Sequence, residues 1–168
     1  MQPLETPDSF YVSAAQGWLE LGNAAEARAE LEHISAASQE HPRVLQLRWM
    51  LSANAEDWPA ALETARALLR VAPEFPEAWL HHAYALRRAP GGGLQAAWEA
   101  LSPALEKFTA EATIPYNLAC YACQLGQLEA ARVLCRRALA TAGDREDMKT
   151  MALRDPDLQP LWPEIRGW

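Results

Sequence analysis

Small and apolar positions along this chain recur with a long period. Alanine stands at Ala27, Ala61, Ala97 and Ala131, at intervals of 34, 36 and 34 residues. A second apolar series, Ile34, Leu68, Ala104 and Ala138, runs in the same step. A fixed period of this size marks a stacked-repeat protein. A two-helix unit of this length cannot bury its own apolar stripe, so neighbouring units must cover it. The recurring alanine is expected where the two helices of a unit approach most closely, because a larger side chain would push them apart.

Turn and capping residues place the helices between those markers. Asp8 and Ser9 are helix-start types and Gly22 is a helix stop, so helices are predicted over 8–21 and from Ala24 to about Ala37. Pro42 opens the second unit, which turns at Glu56-Asp57 and closes before Pro73. Pro76 opens the third. It turns through Pro90-Gly91-Gly92-Gly93, where two extra residues are cheaply accommodated, and resumes at Leu94. The fourth runs from Ala112, turns at Gly126 and ends near Gly143. The expected units are 8–41, 42–75, 76–111 and 112–143, in a single domain over 1–168. Past Gly143 the period stops. Asp144 can cap a last helix that carries Met148, Met151 and Ala152 on one face. Leu158, Leu161, Trp162 and Ile165 then fall in a Pro-broken stretch, so 144–168 is expected to fold over the raw end of the array as a cap.

Composition narrows the function classes. The 168 residues carry a net charge of −7, with acids and bases interleaved and no basic stripe, which argues against nucleic-acid binding. No run approaches the roughly 20 apolar residues needed to span a bilayer. The first seven residues lack the basic start and apolar core of a secretory signal. Three cysteines do not make a disulfide framework, so a reducing cytoplasm is the expected location.

The repeat resembles the tetratricopeptide repeat, a 34-residue helix–turn–helix unit. Unit four carries the pattern best, through Asn117-Leu118-Ala119, Gly126-Gln127-Leu128, Ala131 and Ala138. Unit two matches through Asp57-Trp58, Ala61 and Pro73, unit three through Trp79, Ala83 and Ala97, and unit one through Gly22, Ala27 and Leu31. The tail resembles end segments of bacterial members. Departures are Trp49 in a slot usually Gly or Ala, Arg48 and His82 in a slot usually apolar, and Pro115 in place of a large apolar residue.

The resemblance implies an all-α, right-handed superhelix with a concave groove lined by the first helices. It also implies a non-catalytic adaptor, scaffold or chaperone that holds a peptide or helix of a partner protein there. In family register the groove positions are Gln16 and Leu19; Arg43, Gln46, Met50 and Asn54; Leu80, Tyr84, Arg87 and Arg88; and Tyr116, Asn117, Cys120, Cys123 and Gln124. Tyr84, Arg87, Tyr116 and Asn117 are the expected anchors. A carboxylate clamp for heat-shock chaperone tails is absent, because its slots hold Val12, Gln16, Leu47, Glu77 and His81. Chaperones of bacterial type III translocators are similar in length and repeat type. They often dimerise through the N-terminal helix, where this chain carries Phe10 and Trp18. A structural assembly subunit is a further alternative.

Residues with chemical potential read as structural. Cys120 and Cys123 form a C-x-x-C inside a helix, away from the strand-to-helix junction of redox pairs and without the further ligands of a zinc site. His81 and His82 point about 100° apart on a helix and cannot chelate one ion together. The Gly-rich turn follows a helix and lacks a Gly-Lys-Ser/Thr sequence, so it is not a phosphate loop. Asp155 and Asp157 sit at a helix stop, where capping explains them. No cofactor, no metal and no catalytic residue is expected.

Overall fold

The computed structural model describes residues 3–168. Met1 and Gln2, which head the stretch expected not to be a secretory signal, lie outside the described residues. Every regular element among the described residues is helical, and no helix among them is long and apolar enough to cross a membrane. The chain forms two compact units, Met1–Pro90 and Gly91–Trp168. The division falls in the Gly-rich turn inside the third repeat.

The first unit contains α1 (Asp8–Glu20), α2 (Ala24–Glu32), a 3-10 turn (Ala36–Ser38), α3 (Pro42–Asn54), α4 (Trp58–Val71) and α5 (Pro76–Arg88). Pro42 and Pro76 stand at helix starts, where their missing N–H costs nothing. Asn23 and Asp57 cap α2 and α4 by accepting from Glu26 N and Ala60 N, each at 3.2 Å. Gly22 makes the first turn with φ +75°, and Glu56 adopts φ +55° at the corresponding place in the second repeat. Ala27 and Ala61 are fully buried, as their period requires.

Two expectations change here. Asp8 is not an N-cap: Pro7 holds that position without a side-chain bond. The Asp8 carboxylate is buried and accepts from Ser35 N at 2.9 Å and Ser35 Oγ at 2.5 Å. These bonds, led by the Ser35 hydroxyl, hold the Asp8 carboxyl below the usual range. The same contact explains why α2 ends at Glu32 instead of reaching Ala37. Ser35 N–H is committed to Asp8, and the chain passes into a 3-10 turn.

The second unit contains α6 (Leu94–Leu101), α7 (Ala104–Lys107), α8 (Thr113–Gln124), α9 (Leu128–Thr141), α10 (Arg145–Ala152), a 3-10 segment (Pro156–Leu161) and α11 (Trp162–Ile165). Pro103 divides α6 from α7, a break the repeat period did not reveal. α8 and α9 pair around fully buried Leu118, Ala119, Ala131 and Ala138. Gly126 turns between them with φ +76°. Asp144 caps α10 through Asp147 N at 2.9 Å. Leu158, Leu161 and Ile165 are fully buried, and Trp162 Nε1 donates to Ala152 O at 3.0 Å.

Candidate functional site

In the first unit, the expected groove residues gather on α1, α3 and α5. Gln16 of α1 lies beside Arg43, Gln46 and Met50 of α3, where they line a cavity of about 240 Å³ with Glu20 and Leu47. Arg43 Nη2 reaches Gln16 Oε1 at 3.5 Å, and Gln16 Nε2 donates to Glu20 at 3.1 Å. A second cavity of about 210 Å³ shares Arg43 and Gln46 and continues onto Leu68, Ala72, Phe75 and Ala78. Its walls are mostly carbon, and Phe75 is exposed at its rim. Leu19 packs inward on the core around Val12 and Leu31 instead of lining either cavity. Asn54 lies at the exposed end of α3. Leu80 and Arg87 are half-buried on α5.

Toward the end of α5 the surface becomes aromatic and cationic. The Arg88 guanidinium lies 3.6 Å from the centre of the Tyr84 ring and 5.2 Å from that of Trp58. Arg88 Nη1 also donates to Tyr84 O at 3.2 Å. Tyr84 meets Trp58 at 5.8 Å and stands edge-on to Trp49 at 6.0 Å.

Trp49 explains how a large ring fits a slot usually filled by a small residue. It stacks flat on His81, with ring centres 3.8 Å apart and planes within 7°. Trp49 Nε1 and His81 Nε2 are both buried without a hydrogen-bond partner. Burial pushes the His81 imidazole down to about 4, so the ring is neutral at pH 7.

In the second unit, the groove positions are occupied from within the chain. Tyr116 and Cys120, expected to be open to a ligand, are buried under the segment that follows α10. Tyr116 OH donates to Asp155 Oδ2 at 2.8 Å, Cys120 Sγ to the same oxygen at 3.5 Å, and Gln124 Nε2 to Asp157. Asp155 Oδ1 accepts from Asp157 N at 2.9 Å, so the capping role read from sequence is present beside this second one. Asn117 bonds back to Thr113 O at 2.8 Å.

Cys120 Sγ and carboxylate oxygens of Asp155 and Asp157 lie within 4.8 Å of one another, and these carboxylates accept from Tyr116, Cys120 and Gln124. Burial first, and then Asp155, push the Cys120 thiol and the Tyr116 phenol well above their usual ionisation ranges, so both stay protonated. Burial and the same two carboxylates raise Cys123, while burial with Cys123 brings Cys135 to about 11. Thiols held protonated are poor nucleophiles.

Sequence reasoning missed Leu68 and Phe75 as lining residues, because they come from a second helix and from a connecting turn. It also missed the tie between α8 and Asp155. The only local signal was an Asp-Pro-Asp sequence already explained by capping.

No protein-family model matches the chain, and no curated protein matches it. Solved tetratricopeptide structures do resemble it. The APC/C hetero-tetramer Cut9-Hcn1 superposes with a TM-score of 0.70 at 18% identity, over 92% of this chain and 29% of that one. This chain therefore spans under a third of that relative's length. A thermophilic tetratricopeptide protein of Thermus thermophilus superposes with a TM-score of 0.67 at 18% identity, over 96% of this chain and all of that one. The chain has the tetratricopeptide fold.

Proposed function

We propose that this protein is a non-catalytic interaction module whose first unit holds an extended segment of a partner protein along α1, α3 and α5. One observation carries the reading: two cavities meet at Arg43 and Gln46, one polar and one lined by Leu68, Ala72 and Phe75. A segment with an apolar side chain beside an acidic or amide one meets both chemistries at once. The Tyr84–Arg88 face extends the surface along α5. On α8 the equivalent positions serve the C-terminal segment, so Tyr116→Ala would disturb packing as well as any binding. Arg43 and Tyr84 are therefore the informative residues. A clamp for chaperone tails has no support, since Val12 and Leu47 are core residues and His81 is stacked on Trp49. The buried thiols suit a reducing, cytoplasmic setting.

The test is selection of binding peptides from a displayed library, followed by anisotropy titration. Arg43→Glu is expected to weaken the selected peptides about tenfold or more, and Asn117→Ala to leave them unchanged. Equal binding to Arg43→Glu overturns the assignment.

A second reading rests on α1. Phe10 and Leu21 are 69% and 77% exposed, large values for residues of this size. A homodimer through this helix, as in the secretion-chaperone alternative, would cover them. Trp18 does not contribute in the same way, since it is half-buried and its Nε1 lies 3.5 Å from Glu30.

A further inference from the structure

Arg48 occupies a repeat position that ordinarily holds an apolar side chain. Its guanidinium is half-buried and meets the carbonyl and side-chain oxygens of Gln39, the former at 3.3 Å. Both acceptors are neutral, and among the described residues no carboxylate pairs with it. A desolvated cation without a counter-charge is costly, and an anion brought to it recovers that cost. Arg48 lines an open cavity of about 380 Å³ bounded by α2, α3 and α4. Arg28 faces the same cavity, and it too makes no ion pair among the described residues. Ser52 and Thr64 supply hydroxyls from the facing helices, over a floor formed by buried Leu31 and Leu51. Glu32 is the one acid on the wall, one turn along α2 from Arg28. The volume lies within the range of small-molecule sites.

We propose that this cavity is a binding site for a small phosphate ester, separate from the surface formed by α1, α3 and α5. Arg48 and Arg28 would hold the phosphate oxygens, since a planar guanidinium presents paired donors matched to an oxyanion. Ser52 and Thr64 hydroxyls complete the donor set. Glu32 faces the remainder of the ligand, where it accepts from hydroxyl groups and discriminates against a bare dianion. The preference is therefore for an ester bearing hydroxyls over inorganic phosphate. The inference is independent of the peptide surface, because the two share no lining residue.

The experiment is a titration of the full chain with glycerol 3-phosphate, with inorganic phosphate and with sodium chloride at matched ionic strength. It is followed by nitrogen-15 NMR of the arginine Nε–H groups and of the backbone around Ser52 and Thr64. Saturable shifts confined to Arg28, Arg48 and their neighbours are expected, with the ester tighter than inorganic phosphate. Arg48→Met is expected to abolish them. Arg28 is exposed, so Arg28→Gln tests the site without disturbing the core, and it is expected to weaken binding about tenfold. Glu32→Gln is expected to reduce the preference for the ester over inorganic phosphate. Shifts that grow linearly with all three salts, or that persist in both arginine variants, overturn the proposal.

Discussion

The phenol of Tyr116 on α8 donates a 2.8 Å hydrogen bond to Asp155, 39 residues further along the chain. With Gln124 bonded to Asp157, it fixes the C-terminal segment on a helix face that would otherwise be open. Tyr116→Phe keeps the ring and removes only the donor. It is expected to cost about 1–2 kcal/mol, because a half-buried carboxylate loses a partner. Amide exchange should quicken across Pro156–Leu161 and α11 and stay unchanged in α3 and α4. Unaltered exchange in the C-terminal segment would show that burial of Leu158, Leu161 and Ile165 alone retains it.

His81 gives stability a pH dependence of known sign. Its folded pKa, about 4, lies below the ordinary histidine value of 6.5. The native state therefore binds fewer protons than the unfolded chain between those values. The contribution of neutral His81 is complete above about pH 6.5 and is lost as the pH falls toward 4. Between pH 7 and pH 5 the loss is about 2 kcal/mol. Replacing His81 with Phe keeps a ring against Trp49 and removes the titration. Urea unfolding at both pH values should show a smaller loss for His81→Phe than for wild type. Equal losses would mean that His81 is protonated in the native state without penalty.

Glu56 carries the left-handed turn that glycine carries at Gly22 and Gly126. A side chain with a Cβ is strained there, so Glu56→Gly is expected to stabilise the first unit by about 0.5–1 kcal/mol. Gly22→Ala meets no atom within 4 Å and is expected to destabilise by about 1 kcal/mol through backbone strain alone. Denaturant midpoints of the two variants should move in opposite directions.

The all-helical repeat was legible because its cause is local and periodic. Ala27, Ala61, Ala97 and Ala131 are small for the same steric reason, and each is fully buried. Pro42, Pro76, Asn23, Asp57 and Asp144 mark helix starts through chemistry contained within a few residues. The contacts that could not be read join distant residues. Asp8 looked like a cap until Ser35, 27 positions away, supplied better donors. Trp49 looked like a misfit until His81 supplied a flat partner. Tyr116 and Cys120 matched groove positions by register, but register carries no information about where the tail returns. The polar cavity was legible in part, through Gln16, Arg43, Gln46 and Met50. Its apolar neighbour was not, since Leu68 lies on the second helix of its repeat and Phe75 in the turn between α4 and α5.

Exposed Phe10 and Leu21 give the dimer reading a direct check. Sedimentation equilibrium of the wild type should show mass rising from monomer to dimer with concentration, and Phe10→Asp should remain monomeric. A wild-type mass that stays monomeric at high concentration would leave α1 as ordinary surface.

The most direct measurement is hydrogen exchange of the protein with and without a selected peptide. Protection is expected on α1, α3 and α5, centred on Arg43, Gln46 and Tyr84, with none on α8. Protection concentrated on α8, with release of the C-terminal segment from Tyr116, would contradict the assignment of binding to the first unit.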